Sequence, residues 1–110
     1  MGRFISTTGT ASPTLISVTS AHSTKSNERV LCDTGSTAFQ VTLPAVADVM
    51  VGDQIQIIDI GNNFNSNNLT VGRNSHNINS TAEDLILDID GVIVTLLYTG
   101  TTNGWVITST

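Results

Sequence analysis

Residues 85–98, LILDIDGVIVTLLY, decide the fold class. Leu85, Leu87 and Ile89 share one phase of a two-residue repeat, Val92, Val94, Leu96 and Tyr98 share another, and Asp90-Gly91 stands between them. Successive side chains on a strand point to opposite faces, so each run presents one apolar face for burial. An Asp-Gly pair between two such runs predicts a hairpin with a tight turn. Ile86, Ile93 and Leu97 fall in the opposite phase. They predict a sheet that is apolar on both sides, which in so short a chain points to a subunit contact.

Outward from this stretch the same pattern repeats. Thr101-Thr102-Asn103-Gly104 predicts a turn into a last strand, Trp105 to Thr108. Upstream, Leu15 to Val18, Val30 to Cys32, Phe39 to Leu43, Gln54 to Ile60 and Leu69 to Gly72 read as strands. Pro44 closes the third of these, and 45–51 offers one weak helical turn before Gly52-Asp53. The longest turn, Gly61-Asn62-Asn63-Phe64-Asn65-Ser66-Asn67-Asn68, is rich in residues that tolerate positive φ and bond their own backbone. About eight short strands without a convincing helix predict an all-β chain, an antiparallel β-sandwich or jelly-roll-like single domain over 14–110. Residues 1–13 hold only Phe4 and Ile5 as apolar anchors and read as an extended N-terminal arm, either disordered or pinned across a neighbouring subunit.

Composition excludes several function classes. Only 12% of the 110 residues are charged, against about 25% in ordinary domains. The surface is therefore largely Ser, Thr, Asn and Gly, suited to neutral hydrogen bonding and broad contacts. The net charge is −5, and Arg3, Lys25, Arg29 and Arg73 are scattered, so the basic footprint of a nucleic-acid binder is missing. No apolar run approaches the roughly 18 residues of a membrane helix. The first residues also lack the layout of a secretion signal, which predicts synthesis in a cytoplasm. Cys32 is the single cysteine and predicts a packed apolar thiol rather than a disulfide or a metal cluster. Asn68-Leu69-Thr70 and Asn79-Ser80-Thr81 match the glycosylation acceptor pattern but read as turn chemistry in the absence of a secretion signal.

The sharpest enzyme reading is Asp33-Thr34-Gly35-Ser36 after Val30-Leu31-Cys32, which matches the aspartic-protease signature. That chemistry needs two carboxylates sharing a proton, and a retroviral-type protease supplies one per chain of a small all-β homodimer. Val71-Gly72-Arg73-Asn74 also looks like the segment that follows the flap in those enzymes. Context argues against it. The segment should open a helix, yet 75–80 is SHNINS, and the interval from Asp33 to Gly72 is too short for a flap hairpin. No Gly-x-Ser-x-Gly elbow supports a serine nucleophile. Asp88 and Asp90, with Glu83 and Asp84 nearby, lack further calcium ligands and read as a solvated acidic edge that discourages aggregation. His22 and His76 lie in polar loops without ligand spacing and read as exposed. Trp105 fits core or interface packing better than sugar stacking. The sequence therefore predicts no catalytic residue, no metal and no cofactor.

The run from Arg29 to Ile107, about seven-tenths of the chain, resembles a module found in bacteriophage virion proteins, in tail-fibre tips and small capsid-decoration proteins. The resemblance is carried in order by Cys32-Asp33-Thr34, Phe39-Gln40-Val41-Thr42-Leu43-Pro44, Gly52-Asp53 before Ile55 and Ile57, and Asn67-Asn68-Leu69-Thr70-Val71. It continues through Asn77-Ile78-Asn79, Glu83-Asp84-Leu85, Val94-Thr95-Leu96, Tyr98-Thr99-Gly100 and Gly104-Trp105. A chain that begins at its own methionine with only a short arm, and no trimeric shaft, matches a free-standing decoration (cement) protein. The resemblance implies a homotrimer on the capsid exterior, made in the host cytoplasm, that binds assembled major capsid protein and stabilises the shell. Ile86, Ile93 and Leu97 are the expected trimer contacts, and Arg3, Phe4 and Ile5 the expected capsid contacts. A tail-fibre or receptor-binding tip subunit is the alternative, and the retroviral-type protease at Asp33-Thr34-Gly35 comes third.

Overall fold

The chain winds back and forth between two sheets. The computed structural model describes residues 12–109. Among these residues nine strands follow in order: β1 Thr14–Val18, β2 His22–Ser23, β3 Glu28–Cys32, β4 Phe39–Thr42, β5 Gln54–Asp59, β6 Leu69–Gly72, β7 Leu85–Leu87, β8 Ile93–Tyr98 and β9 Trp105–Ser109. A 3₁₀ turn at Val46–Asp48 is the one helical element among the described residues and falls in the segment where a helical turn was expected. Residues 1–11, including the expected arm contacts Arg3, Phe4 and Ile5, lie outside the described residues.

The all-β class holds, but the sheets are mixed rather than antiparallel. Sheet A has the order β1-β3-β5-β8-β9 and sheet B the order β2-β4-β6-β7. In sheet A, β1, β3 and β5 run parallel, with Val30 opposite both Ile16 and Ile57; in sheet B, β2, β4 and β6 run parallel, with Val41 opposite both His22 and Val71. Only β7, β8 and β9 join antiparallel. Parallel neighbours need a crossover, and here each crossover is a strand of the facing sheet. The first six strands thus form three successive coils around one core. The two-residue repeat locates strands and their buried faces, but it carries no information about which strand lies alongside.

The predicted hairpin at Asp90-Gly91 is the clearest correction. A turn is present, with the Val92 N–H donating to the Ile89 carbonyl, but β7 pairs with β6 and β8 with β5, so the turn crosses between sheets. Ile89, expected to be buried with Leu85 and Leu87, is 64% exposed beyond the end of β7.

The core lies between the sheets. Val30, Cys32, Ile55, Ile57, Val94, Leu96 and Trp105 face inward from sheet A, and Val41, Leu69, Val71 and Leu87 from sheet B. The Asn-rich turn contributes Phe64, which is fully buried; burial of such a ring is worth about 2–3 kcal/mol. The asparagines around it serve the backbone: Asn63 bonds the Gly61 carbonyl, Asn67 the Thr34 carbonyl and Asn68 the Phe64 carbonyl. Asn74 with Ser75, and Asn79 with Ser80, form two left-handed pairs, which is why no helix follows Gly72. Gly104 has φ +72°, and a Cβ there would overlap the Asn77 carbonyl, to which the Trp105 N–H donates.

The turns converge on one side chain. Asp59, at the end of β5, is 5% exposed and accepts the N–H groups of Asn63, Phe64 and Gly91 at 3.2, 3.0 and 2.9 Å. Substituting Asp59→Asn sets an amide NH₂ against one of these donors and removes the charge that strengthens the others. It should lower the unfolding free energy by about 2–3 kcal/mol with an unchanged m-value in urea titration. A loss under about 1 kcal/mol would show that the carboxylate is not what joins these turns.

Candidate functional site

The Asp33-Thr34-Gly35 loop sits where β3 leaves sheet A. The Asp33 N–H donates to the Val18 carbonyl, and its Oδ1 accepts the Gly35 N–H at 2.9 Å, closing a local side-chain turn. The carboxylate is exposed and lies directly against the Gly61 backbone, where a Cβ would collide with it. Thr34 is the buried member, with its carbonyl held by Asn67. The loop is built to turn the chain toward β4, with its aspartate oxygen occupied by its own backbone.

The other candidates are also in structural use. Asp84 accepts the Arg73 N–H and Asp90 the Asn65 N–H, so two carboxylates of the acidic edge fasten turns. Among the described residues, no three His, Cys, Asp or Glu side chains come together as a metal site. His22 is half-buried, with Nε2 3.1 Å from Oε1 of the buried Glu28, which also accepts the Lys25 N–H. His76 corrects the expectation of exposure: it is 3% exposed, its Nε2 lies 2.6 Å from the Pro44 carbonyl, and its ring meets Tyr98 and Trp105 edge-on. Trp105 is fully buried in that aromatic cluster, which makes it core and removes it as a sugar platform.

The outer face of sheet A is different, because its outward side chains are largely apolar. On β8, Val94, Leu96 and Tyr98 point into the core, so Ile93 and Leu97 point away from it on the outer face of sheet A. The structure brings those two expected contacts onto one strand. It does not add Ile86, whose neighbours Leu85 and Leu87 turn inward from sheet B and leave it 52% exposed on the opposite layer. The residues that do join Ile93 were not expected: Leu31 pairs with Ile58, and Ile58 with Ile93, in one row across three strands. Val106 lies beside Leu97. The signal was present in the sequence as apolar doublets, Val30-Leu31, Ile57-Ile58, Ile93-Val94 and Leu96-Leu97, each filling both phases of its strand. Between the apolar positions run Arg29, Gln56 and Thr95, with the Gln56 amide donating to the Thr95 hydroxyl at 3.1 Å. Among the described residues, Arg29 is the one charged residue at the outward strand positions of this face.

Cys32 belongs to the core and not to this surface. Burial, and then the neighbouring Asp59 carboxylate, push its thiol from 9.0 up to about 12. Because the unfolded thiol ionises near 9.0 while the folded one keeps its proton, this contribution to stability is complete below pH 9 and is lost as the pH climbs toward 12. Cys32→Ala should therefore flatten the alkaline limb of the stability profile. The native protein should also stay inert to an aromatic disulfide reagent at pH 8 that labels the unfolded chain. Rapid labelling of native protein would place Cys32 at an accessible site instead.

Searches against known protein families and curated proteins bring out no matching family model and no matching sequence, so the surface is interpreted on its own chemistry.

Proposed function

We propose that this chain is a structural protein of a bacteriophage virion, a decoration or cement protein that binds assembled major capsid protein on the capsid exterior and stabilises the shell. The observation that carries the reading is the outward row Leu31–Ile58–Ile93, with Leu97 and Val106 across the polar row Arg29–Gln56–Thr95: a largely apolar, weakly charged face on a small domain whose Asp33, Asp59, Asp84 and Asp90 carboxylates hold turns. Such a face suits contact with protein surface, and the low charge of the chain suits contact without electrostatic steering. The resemblance of the run from Arg29 to Ile107 to phage virion modules supplies the identity of the partner.

On this reading the chain is not an enzyme and carries no metal or cofactor. It is made in the host cytoplasm, engages neither nucleic acid nor membrane, and assembles as a homotrimer through Ile93 and Leu97 extended by Ile58 and Leu31. Arg3, Phe4 and Ile5 reach the capsid. Stabilisation follows from mass action, because a ligand that binds only the assembled shell adds about 3–4 kcal/mol per site at a few hundred times its Kd. The tail-fibre or receptor-binding tip remains the second reading, and the burial of Trp105 removes the sugar-stacking role weighed for that residue.

Two outcomes are expected. Purified protein should co-sediment saturably with expanded capsids lacking it and not with susceptible host cells; binding to cells alone would move it to the tail. The double substitution Ile58→Asp and Ile93→Asp should convert a trimer to monomers in sedimentation equilibrium while leaving the β-sheet circular dichroism unchanged. A trimer that survives these charges would remove the outer face of sheet A from the contact.

A further inference from the structure

Sheet A has five strands and sheet B four. The coils set β1 with β2, β3 with β4 and β5 with β6; β7 extends sheet B beside β6 as β8 extends sheet A beside β5, so β9 has no strand facing it among the described residues. The start of β9 is covered by the loop before β7, where Ile78 bridges Trp105 and the Asn79 N–H donates to the Trp105 carbonyl. Beyond that point no strand of the described residues covers the sandwich. A groove of about 230 Å³ runs between β7 and the β8–β9 pair, lined by Leu85, Leu87, Ile89, Val92, Val94 and Ile107. Leu85, Val92 and Ile107 are only partly buried, although they pack against the core. Its upper rim is β7 itself, the last strand of sheet B, whose backbone on the side away from β6 meets no strand among the described residues.

The charge around this edge is one-sided. Glu83 and Asp84 precede β7, and Asp88 and Asp90 follow it, so four of the nine acidic residues flank a strand of three. Asp84 and Asp90 are tied to backbone N–H groups, whereas the exposed Glu83 and Asp88 carboxylates make no hydrogen bond among the described residues. No lysine or arginine follows Arg73 in the sequence.

We propose that β7 is a docking edge for an extended segment of a partner protein, one that alternates apolar with polar residues and carries lysine or arginine at its ends. The segment adds to sheet B as a fifth strand, opposite β9. Its backbone pairs with the open side of β7, its apolar side chains enter the groove against Val94 and Ile107, and its cations meet Glu83 and Asp88. The same acidic rim selects against a second copy, since two identical edges would bring like charges together. The inference stands whether the chain serves on a capsid or on a tail.

The test uses the full chain and three synthetic peptides: alternating valine and threonine with a lysine at each end, the same peptide with glutamate ends, and the lysine peptide with a central proline. The lysine peptide should bind saturably in fluorescence anisotropy and slow amide exchange at Leu85–Leu87. Its affinity should fall with added salt and drop about fivefold in the Glu83→Gln, Asp88→Asn double variant, which should melt like the parent. The glutamate and proline peptides should not bind. Equal binding of the glutamate peptide overturns the charge argument, equal binding of the proline peptide overturns strand addition, and protection that appears elsewhere overturns the site. Amides of β7 already protected in the free protein, by a second copy or by the chain's own N-terminal residues, would show the edge to be occupied and would also overturn it.

Discussion

The buried carboxylate of Asp59 is the constraint on which the two-sheet arrangement depends. It sits where β5 ends and the chain must leave sheet A for sheet B, and it accepts the N–H groups of Asn63 and Phe64 from that crossover. It also accepts the N–H of Gly91, from the turn that returns the chain from β7 to β8. One side chain therefore holds both the outgoing and the returning crossover. An aspartate suits the position because it only accepts, and three converging donors offset the cost of burying its charge. Gly91 completes the arrangement with φ +74°, a conformation that brings its N–H inward at no side-chain cost. Cys32 is the strand neighbour of Asp59, so the same charge that organises the turns helps keep the thiol protonated.

Much of the fold was legible in the sequence because strand phase is a property of one segment at a time. Phe39 and Val41, Ile55 and Ile57, and Val94 and Leu96 alternate with polar or outward residues and do form the strands they announce. Pairing was not legible, because it is decided by groups far apart in the chain. Asp90-Gly91 has the composition of a hairpin turn, yet Gly91 answers to Asp59 and Asp90 to Asn65, across 32 and 25 residues of sequence. Those bonds turn the chain across the sandwich instead of back along the same sheet. His76 was hidden for a similar reason. Its neighbours in sequence are polar, and only the fold brings Pro44, Tyr98 and Trp105 around it.

The candidate surface was legible in part and for a definite reason. Ile93 and Leu97 stand out because they interrupt an alternation, and a lone apolar residue in the wrong phase is visible within one strand. Leu31 and Ile58 interrupt their own strands in the same way, but their meaning emerges only when register sets Leu31 beside Ile58 and Ile58 beside Ile93. Ile86 carries the same local signal and belongs to the other layer. A phase violation therefore identifies an outward apolar residue, while the sheet order identifies which of them act together.

The two uncommitted surfaces differ in what they select against. The outer face of sheet A offers shape and apolar area with little charge, Arg29 alone among its described outward strand positions. The β7 edge offers backbone that meets no strand among the described residues, beside an apolar groove, a combination that would invite any exposed strand were it not ringed by carboxylates. A chain with nine acidic and four basic residues meets mostly acid when it meets itself, so the ring biases that edge away from its own copies and toward a basic stranger. The apolar face and the acid-rimmed edge thereby occupy separate sheets of a small domain. That separation is set by where the few charges of this chain are placed.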